Sequence, residues 1–220
     1  MREAALRTRI AELGRQLEAA GLVELTAGNI SARAGPVMAI TPSGIRYAAI
    51  EPGDVVLCSV GDGGVLDGER RPSSELPLHR AIYRARPDVG AVVHTHSPYA
   101  TTFAVLREEI PAVHYSIARL RLSRVPVVEY ATYGSEELAE RAFAVLSEGG
   151  QAALLANHGA VALGQDIEEA ARNAQVLETL AATCWRARAI GTPRVLPGDE
   201  VARVQERYRT YGQPVAGTAR

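Results

Sequence analysis

Lysine is missing from this 220-residue chain; all 24 basic side chains are arginine. Without lysine there is no amine for a Schiff base, so imine chemistry on a carbonyl substrate is closed. Cysteine is scarce too. Cys58 and Cys184 are far apart and fall in no CxxC spacing, which reads as two buried thiols in a reducing cytoplasm. No apolar stretch approaches the ~20 residues needed to span a bilayer, so no membrane role is expected. The N-terminus, MREAALRTRIAELGRQLEAAG, is charged throughout and has no apolar core of a secretion signal. Charge of one sign is not in excess either. The formal net charge is -1, whereas a nucleic-acid partner usually asks for a basic face. No linker, low-complexity segment or internal repeat divides the sequence. What is present is 47% hydrophobic content, which at this length predicts one domain over residues 1–220 with a well-buried core.

The pattern alternates between two periods. Leu6, Ile10, Leu13 and Leu17 recur at helical spacing and predict an amphipathic helix over 2–20, stopped by Gly21. NISAR, VMAIT and VVLCSV read as strands, and Gly61-Asp62-Gly63-Gly64 as a hairpin turn. A helix is expected from Pro72 to about Arg86. VGAVVHTH (89–96) is β-branched and bounded by Pro87 and Pro98, which predicts a strand, with a helix over 98–107 after it. VPVVEY reads as a strand. Ser135 caps a helix over 135–148 whose first turn carries Glu136 and Glu137. AALLAN and AVALG are strands around Asn157-His158-Gly159. Asp166 opens the longest helix, to about Ala189, and 198–209 forms the last. Paired strands mixed with helix-linked ones predict a layered α/β fold with a mixed sheet.

Chemistry concentrates at a few places. In VVHTHSPYA, His94 and His96 sit two apart on a strand, so they share a face with Cα atoms roughly 6.5–7 Å apart. They could hold one cation or decorate a solvated face; the spacing leaves both open. His158 stands at a strand junction beside Gly159, where a tight turn or close backbone approach is possible. Three neutral imidazoles with an open position is the pattern of a catalytic zinc site. In RRPSSELPLH, Ser73 and Ser74 stand at the expected start of a helix, either as ordinary capping residues or as anion ligands. Glu75, in the expected first turn, either complements the helix dipole or acts as a general base or further ligand. His79, four residues on, reads as a packing residue or a support for that site rather than a ligand. Gly28-Asn29 in TAGNIS and Ser43-Gly44 in TPSG are turn chemistry alone, but with Ser73 and Ser74 they could form a nest of donors for phosphate. Tyr115, Tyr208 and Tyr211 offer hydroxyls that could serve as general acids.

The ordered set TAGN, TPSG, PSSE, HTH, HY, NHG and TYG resembles the zinc-dependent class II aldolases of the L-fuculose-1-phosphate aldolase type. The resemblance runs from about residue 5 to about residue 212. That superfamily also holds L-ribulose-5-phosphate 4-epimerase and the non-catalytic adducin head domain. It implies a three-layer αβα domain with a mixed, largely antiparallel central sheet, assembled as a homotetramer with active sites between subunits. It implies His94, His96 and His158 as ligands of one Zn²⁺ per subunit, with Glu75 as the catalytic acid/base that can also approach the metal. Gly28, Asn29, Ser43, Gly44, Ser73 and Ser74 match the family's phosphate pocket. Tyr115 matches the tyrosine that reaches a neighbouring subunit's site, and Tyr133, Tyr208 and Tyr211 match aromatics near the substrate, Tyr211 counted with the catalytic groups.

The implied reaction is reversible cleavage of a ketose 1-phosphate to dihydroxyacetone phosphate and a short aldehyde, with metal rather than imine as the electron sink. Glutamate at position 75, where the epimerases carry aspartate, favours aldolase over epimerase; a dehydratase or phosphosugar-acid decarboxylase using the same zinc site stays an alternative. The three histidines with Glu75 weigh against an adducin-like module. Residues 118–124, ARLRLSR, depart from the small glycine-containing segment of the fuculose-phosphate enzymes. Arg119, Leu120 and Arg121 are bulky there, and so soon after Tyr115 they bear on the aldehyde end of the site. A 5-deoxy or methylthio pentulose 1-phosphate is therefore a credible substrate beside L-fuculose 1-phosphate.

Overall fold

The computed structural model describes residues 2–211; Gly212, the last residue of the TYG motif, lies outside them. The first helix, α1 (Ala4–Ala19), buries Ile10, Leu13 and Leu17 as its periodicity requires. It also buries Arg7, which no pattern announced. Its Nη1 donates to the Val55 carbonyl at 2.6 Å and its Nη2 pairs with Asp67. Four strands follow: β1 (Asn29–Ala34), β2 (Val37–Ile40), β3 (Val56–Ser59) and β4 (Val65–Asp67), the last two joined by the expected glycine turn. Next come α2 (Leu76–Ala85), β5 (Ala91–Thr95), α3 (Pro98–Leu106) and β6 (Ile110–Pro111). Then come β7 (Arg124–Val125), β8 (Val127–Val128), α4 (Glu136–Leu146), β9 (Ala152–Leu155), β10 (Gly159–Gly164), α5 (Ile167–Ile190) and α6 (Gly198–Tyr208).

Eight strands make one sheet in the order β4-β3-β2-β1-β5-β10-β9-β8. Every pairing is antiparallel except β8 beside β9. The mixed, largely antiparallel sheet is thus as expected. Alternation along the strands feeds both faces. Val92 and Val161 pack against Leu78, Ile82 and Leu138 of α2 and α4. Val93 and Ala162 pack on the opposite side with Ile10 and Leu17 of α1 and Ala170 and Ala174 of α5. Helices therefore cover both faces, giving the αβα layering. Cys58 and Cys184 are both buried as free thiols. Among the described residues no helix is long and apolar enough to cross a membrane.

Two expectations change. The strand expected over VPVVEY is split, because Pro126 has no N–H to give a ladder. Val125 pairs with Ile110, and only Val127 and Val128 join the main sheet. The helix expected from Pro72 begins at Leu76. Pro72 instead bridges Pro42, with Ser73 N–H donating to Thr41 O and Ser43 N–H to Arg71 O, both at 3.0 Å. Those bonds hold residues 72–74 out of the helix, so Glu75 is its cap residue rather than part of its first turn.

Candidate active site

β5 lies at the centre of the sheet and is buried along its whole length. His94 stands at its C-terminal end and His96 one residue past it, and both flanking strands press against that end through glycine. A Cβ on Gly28 would meet the His94 carbonyl oxygen at 2.6 Å, and one on Gly159 would meet the Thr95 oxygen at 2.4 Å. Larger residues would push β1 and β10 away from β5. Gly159 thus makes the close backbone approach expected of it, and His158 is brought beside His94 and His96.

The three imidazoles converge. Their ring centroids lie 4.8, 4.8 and 5.0 Å apart, and one nitrogen from each falls within 4.8 Å of the others. His94 Nε2 and His96 Nε2 are 3.0 Å apart, close to the roughly 3.3 Å set by a tetrahedral ion with bonds of ~2 Å. His94 Nδ1 donates to the Ala160 carbonyl at 2.9 Å, the backing that orients an imidazole ligand and leaves Nε2 facing the site. The cap position brings the Glu75 carboxylate onto the same spot. Its Oε2 is 3.0 Å from His94 Nε2 and its Oε1 is 3.5 Å from His158 Nε2. Glu75 Oε1 and His158 Nδ1 are buried with no hydrogen-bond partner among the described residues. A buried acceptor without a donor is costly. A cation held by the three rings next to that oxygen would answer it, so the residues fit a divalent metal.

The protonation of His96 and His158 suits ligation. Burial, then the charges of its two histidine neighbours, pushes His96 down to about 4. Burial, then His94, does the same to His158. Both rings are neutral near pH 7 and can offer a lone pair. Burial alone would raise Glu75, but His94 by charge and hydrogen bond, then His158 and Asn29, hold it well below the ordinary carboxylate range. Burial opposes charging of His94, while Glu75 raises it. Glu75 and His94 thus favour each other's charged forms.

A cavity of about 340 Å³ opens over this cluster, lined by Gly28, Asn29, Ser43, Gly44, Ser73, Ser74, Glu75, His96 and His158. Every candidate phosphate residue is therefore gathered, and the Pro42–Pro72 bridge is what joins the TPSG and PSSE turns. Ser73 and Ser74 precede the helix rather than start it, so the wall is built of turns and not of a helix N-terminus. Asn29 differs from expectation in one respect. Its side-chain N–H donates to Glu75 Oε2 at 2.9 Å and its Oδ1 faces His79, so the amide is committed to the carboxylate. Thr26, Tyr130, Tyr133 and Asn157 also line the cavity. Tyr133 was expected near substrate. Asn157 was overlooked, although the NHG motif displayed it, and Tyr130 has no spacing signal at all.

The other tyrosines go elsewhere. Tyr115, Tyr208 and Tyr211 line a separate depression with Ser116, Arg119 and Arg207, and none of the three lines the Glu75 cavity. Arg119 lies over the Tyr208 ring at 4.6 Å and near that of Tyr211 at 5.8 Å. Leu120 is in the core instead, and Arg121 reaches Glu169 at 3.6 Å.

Residues 8–185 match the family described as Class II Aldolase and Adducin N-terminal domain. The chain belongs to this family. It is an enzyme of the aldolase class, a lyase, and class II aldolases depend on metal. It is 44% identical over 208 residues to a 5-methylthioribulose-1-phosphate/5-deoxyribulose-1-phosphate aldolase of Rhodospirillum rubrum, covering 94% of this chain and 93% of that protein. It is 42% identical over 209 residues to a 5-deoxy-D-ribulose 1-phosphate aldolase of Bacillus thuringiensis serovar kurstaki, covering 94% and 97%. A solved L-fuculose 1-phosphate aldolase superposes with a TM-score of 0.91 at 39% identity, covering 95% of this chain and 98% of its own. In this class II aldolase the matched span takes in the three histidines, Glu75 and the phosphate wall, and ends before α6, whose last residue is Tyr208, and before Tyr211 beyond it.

Proposed function

We propose that this chain catalyses reversible aldol cleavage of a ketose 1-phosphate to dihydroxyacetone phosphate and a short aldehyde. The observation that carries the reading is one cavity holding a three-histidine cluster, a buried carboxylate and a wall of hydroxyl and turn N–H groups. The relatives named for 5-deoxyribulose, methylthioribulose and fuculose phosphates support the substrate class. His94, His96 and His158 would hold the metal, and three imidazoles with an open position suit a catalytic zinc. When bound, such an ion supplies Lewis-acid stabilisation of negative charge on the substrate oxygens.

The protein's own groups do the rest. Gly28, Ser43, Gly44, Ser73 and Ser74 bind the phosphate. Among the described residues no arginine lines the cavity, so this binding rests on hydroxyls and backbone N–H groups. Holding the phosphate fixes the C3 carbon over Glu75 and raises its effective concentration there. In the synthetic direction the Glu75 carboxylate removes a proton from C3, and C3 then bonds to the aldehyde carbon. In cleavage the C3–C4 pair returns to C3, and the protonated Glu75 gives that proton back. Tyr115, with Tyr211 near it, exchanges the proton on the aldehyde oxygen. Neither lines its own chain's Glu75 cavity, which supports a role for both at a neighbouring copy in a homotetramer. We place the enzyme in the cytoplasm.

The test is a coupled assay for dihydroxyacetone phosphate. It is run with zinc-loaded protein on 5-deoxyribulose, 5-methylthioribulose and L-fuculose 1-phosphates. Release of that product from at least one is expected, with the two pentulose phosphates ahead. No release from any of them, with zinc bound, overturns the proposal.

A further inference from the structure

Behind Glu75 runs a buried chain of side chains that the reaction above does not use. Asn29 and Ser31 are two apart on β1 and share a face, while Glu75, His79 and Tyr83 are spaced by four along α2 and share another. The two periods interlock. Tyr83 OH lies 2.7 Å from Ser31 Oγ. Ser31 Oγ lies 2.6 Å from His79 Nδ1, and His79 Nε2 lies 2.5 Å from Asn29 Oδ1. Asn29 Nδ2 donates to Glu75 Oε2 at 2.9 Å. All five residues are buried.

The direction of each link follows from its last member. A carboxylate only accepts, so Asn29 must turn its N–H₂ to Glu75 and its oxygen to His79. His79 Nε2 must then carry a proton. Burial pushes this ring down to about 3, so it is neutral and its Nδ1 is bare. Ser31 therefore donates to Nδ1 and accepts from Tyr83. The opposite tautomer would flip the Asn29 amide and set its oxygen against the carboxylate. Each link donates toward Glu75, and aligned hydrogen bonds of this kind strengthen one another.

We propose that His79 is a positioning residue for Glu75. Its Nε2–H fixes the Asn29 amide, which pins Oε2 and leaves Oε1 free beside His158 for the substrate proton. The inference deepens the aldolase reading and rests on it for its kinetic arm.

The test compares His79→Leu with His79→Gln and reads the ring nitrogens of the unaltered protein. Glutamine places an amide N–H₂ near the ring Nε2 and keeps the bond to Asn29; leucine keeps only bulk. A reacting group misplaced by ~1 Å can cost ~10²-fold. His79→Leu is expected to lower kcat by about ten- to a hundredfold with KM little changed, because the phosphate wall is untouched. His79→Gln should recover most of the loss. Nitrogen-15 NMR of zinc-loaded protein should show a protonated Nε2 and a bare Nδ1. The opposite tautomer, an equal loss in both variants, or a loss carried in KM overturns the proposal. If the leucine variant fails to fold, the tautomer and the glutamine variant decide alone. The ring measurement needs no turnover, so failure of the aldolase reading and failure of this one are told apart.

Discussion

The Glu75 cavity and the Tyr115 cluster are built on opposite plans. The cavity is assembled inside one chain, from the ends of β1, β5 and β10 and the cap of α2. Its carboxylate is buried and its rings touch. The tyrosine cluster is assembled on the surface, from the segment after His114 and from α6. Tyr115 and Tyr211 are 53% and 74% exposed, too open to hold a reacting group out of water unaided. The contrast separates two jobs. Metal and phosphate binding need groups fixed by backbone to a few tenths of an ångström. A group that meets the departing aldehyde must stand on the open side, where Tyr130 and Tyr133 line the chain's own cavity and Tyr115 and Tyr211 do not.

Breaking the inner region should have the largest effect. His158→Ala removes one of three imidazoles and leaves Glu75 Oε1 without its neighbour. Metal content should fall from about one ion per chain to near none, and aldol turnover with it, by elemental analysis and coupled assay. Full metal and full activity would take His158 out of the ligand set. Next comes Glu75→Gln. It keeps the shape and the Asn29 contact but not the base, so turnover should drop by about 10²–10⁴-fold while metal stays. A near-normal rate would leave the carboxylate with no chemical role.

The inner region was also the more legible. His94 and His96 share a face because strands have a period of two, and that survives any packing. Glu75, His79 and their helix were visible for the same reason, and so were the strands around Gly159. The start of α2 was misread. Nothing local shows that Ser73 N–H prefers Thr41 O, 32 residues back along the chain, to a helical bond. The split of VPVVEY was readable from Pro126 and was passed over. Buried Arg7 was not readable, since its partners Val55 and Asp67 are distant in sequence. Tyr115, Tyr208 and Tyr211 stood out as possible general acids, but only the resemblance gave them a place. Spacing says nothing about which surface a side chain on the 3-10 helix Tyr115–Leu120 will share, and Tyr115 and Tyr208 are far apart in the chain.

The division between regions can itself be tested. Tyr115→Phe should lower turnover by about 10²-fold. If the tyrosine serves a neighbouring copy, co-expressing Tyr115→Phe with Glu75→Gln should restore activity. In a random mixture about one site in four has both groups intact. Activity no higher than that of the better single variant would assign the tyrosine to its own chain or to no site.

The smallest effect concerns what holds the outer cluster. The Arg119 guanidinium lies 4.6 Å from the Tyr208 ring centroid and 5.8 Å from that of Tyr211. Cation–π contacts at exposed sites are worth about 0.5–1 kcal/mol. In a chain of this size each kcal/mol moves Tm by roughly 2–4 °C. Arg119→Ala should therefore lower Tm by about 1–4 °C and leave metal content unchanged, because nothing of the stack touches the histidines. A double-mutant cycle with Tyr208→Ala isolates the contact from the lost side-chain packing. Coupling of a few tenths of a kcal/mol or more makes Arg119 the anchor of α6 against the 3-10 segment that carries Tyr115. Strict additivity would show that the rings and the guanidinium are merely neighbours. The departure at residues 118–124 would then act on the aldehyde through Arg119 itself rather than through the tyrosines it covers.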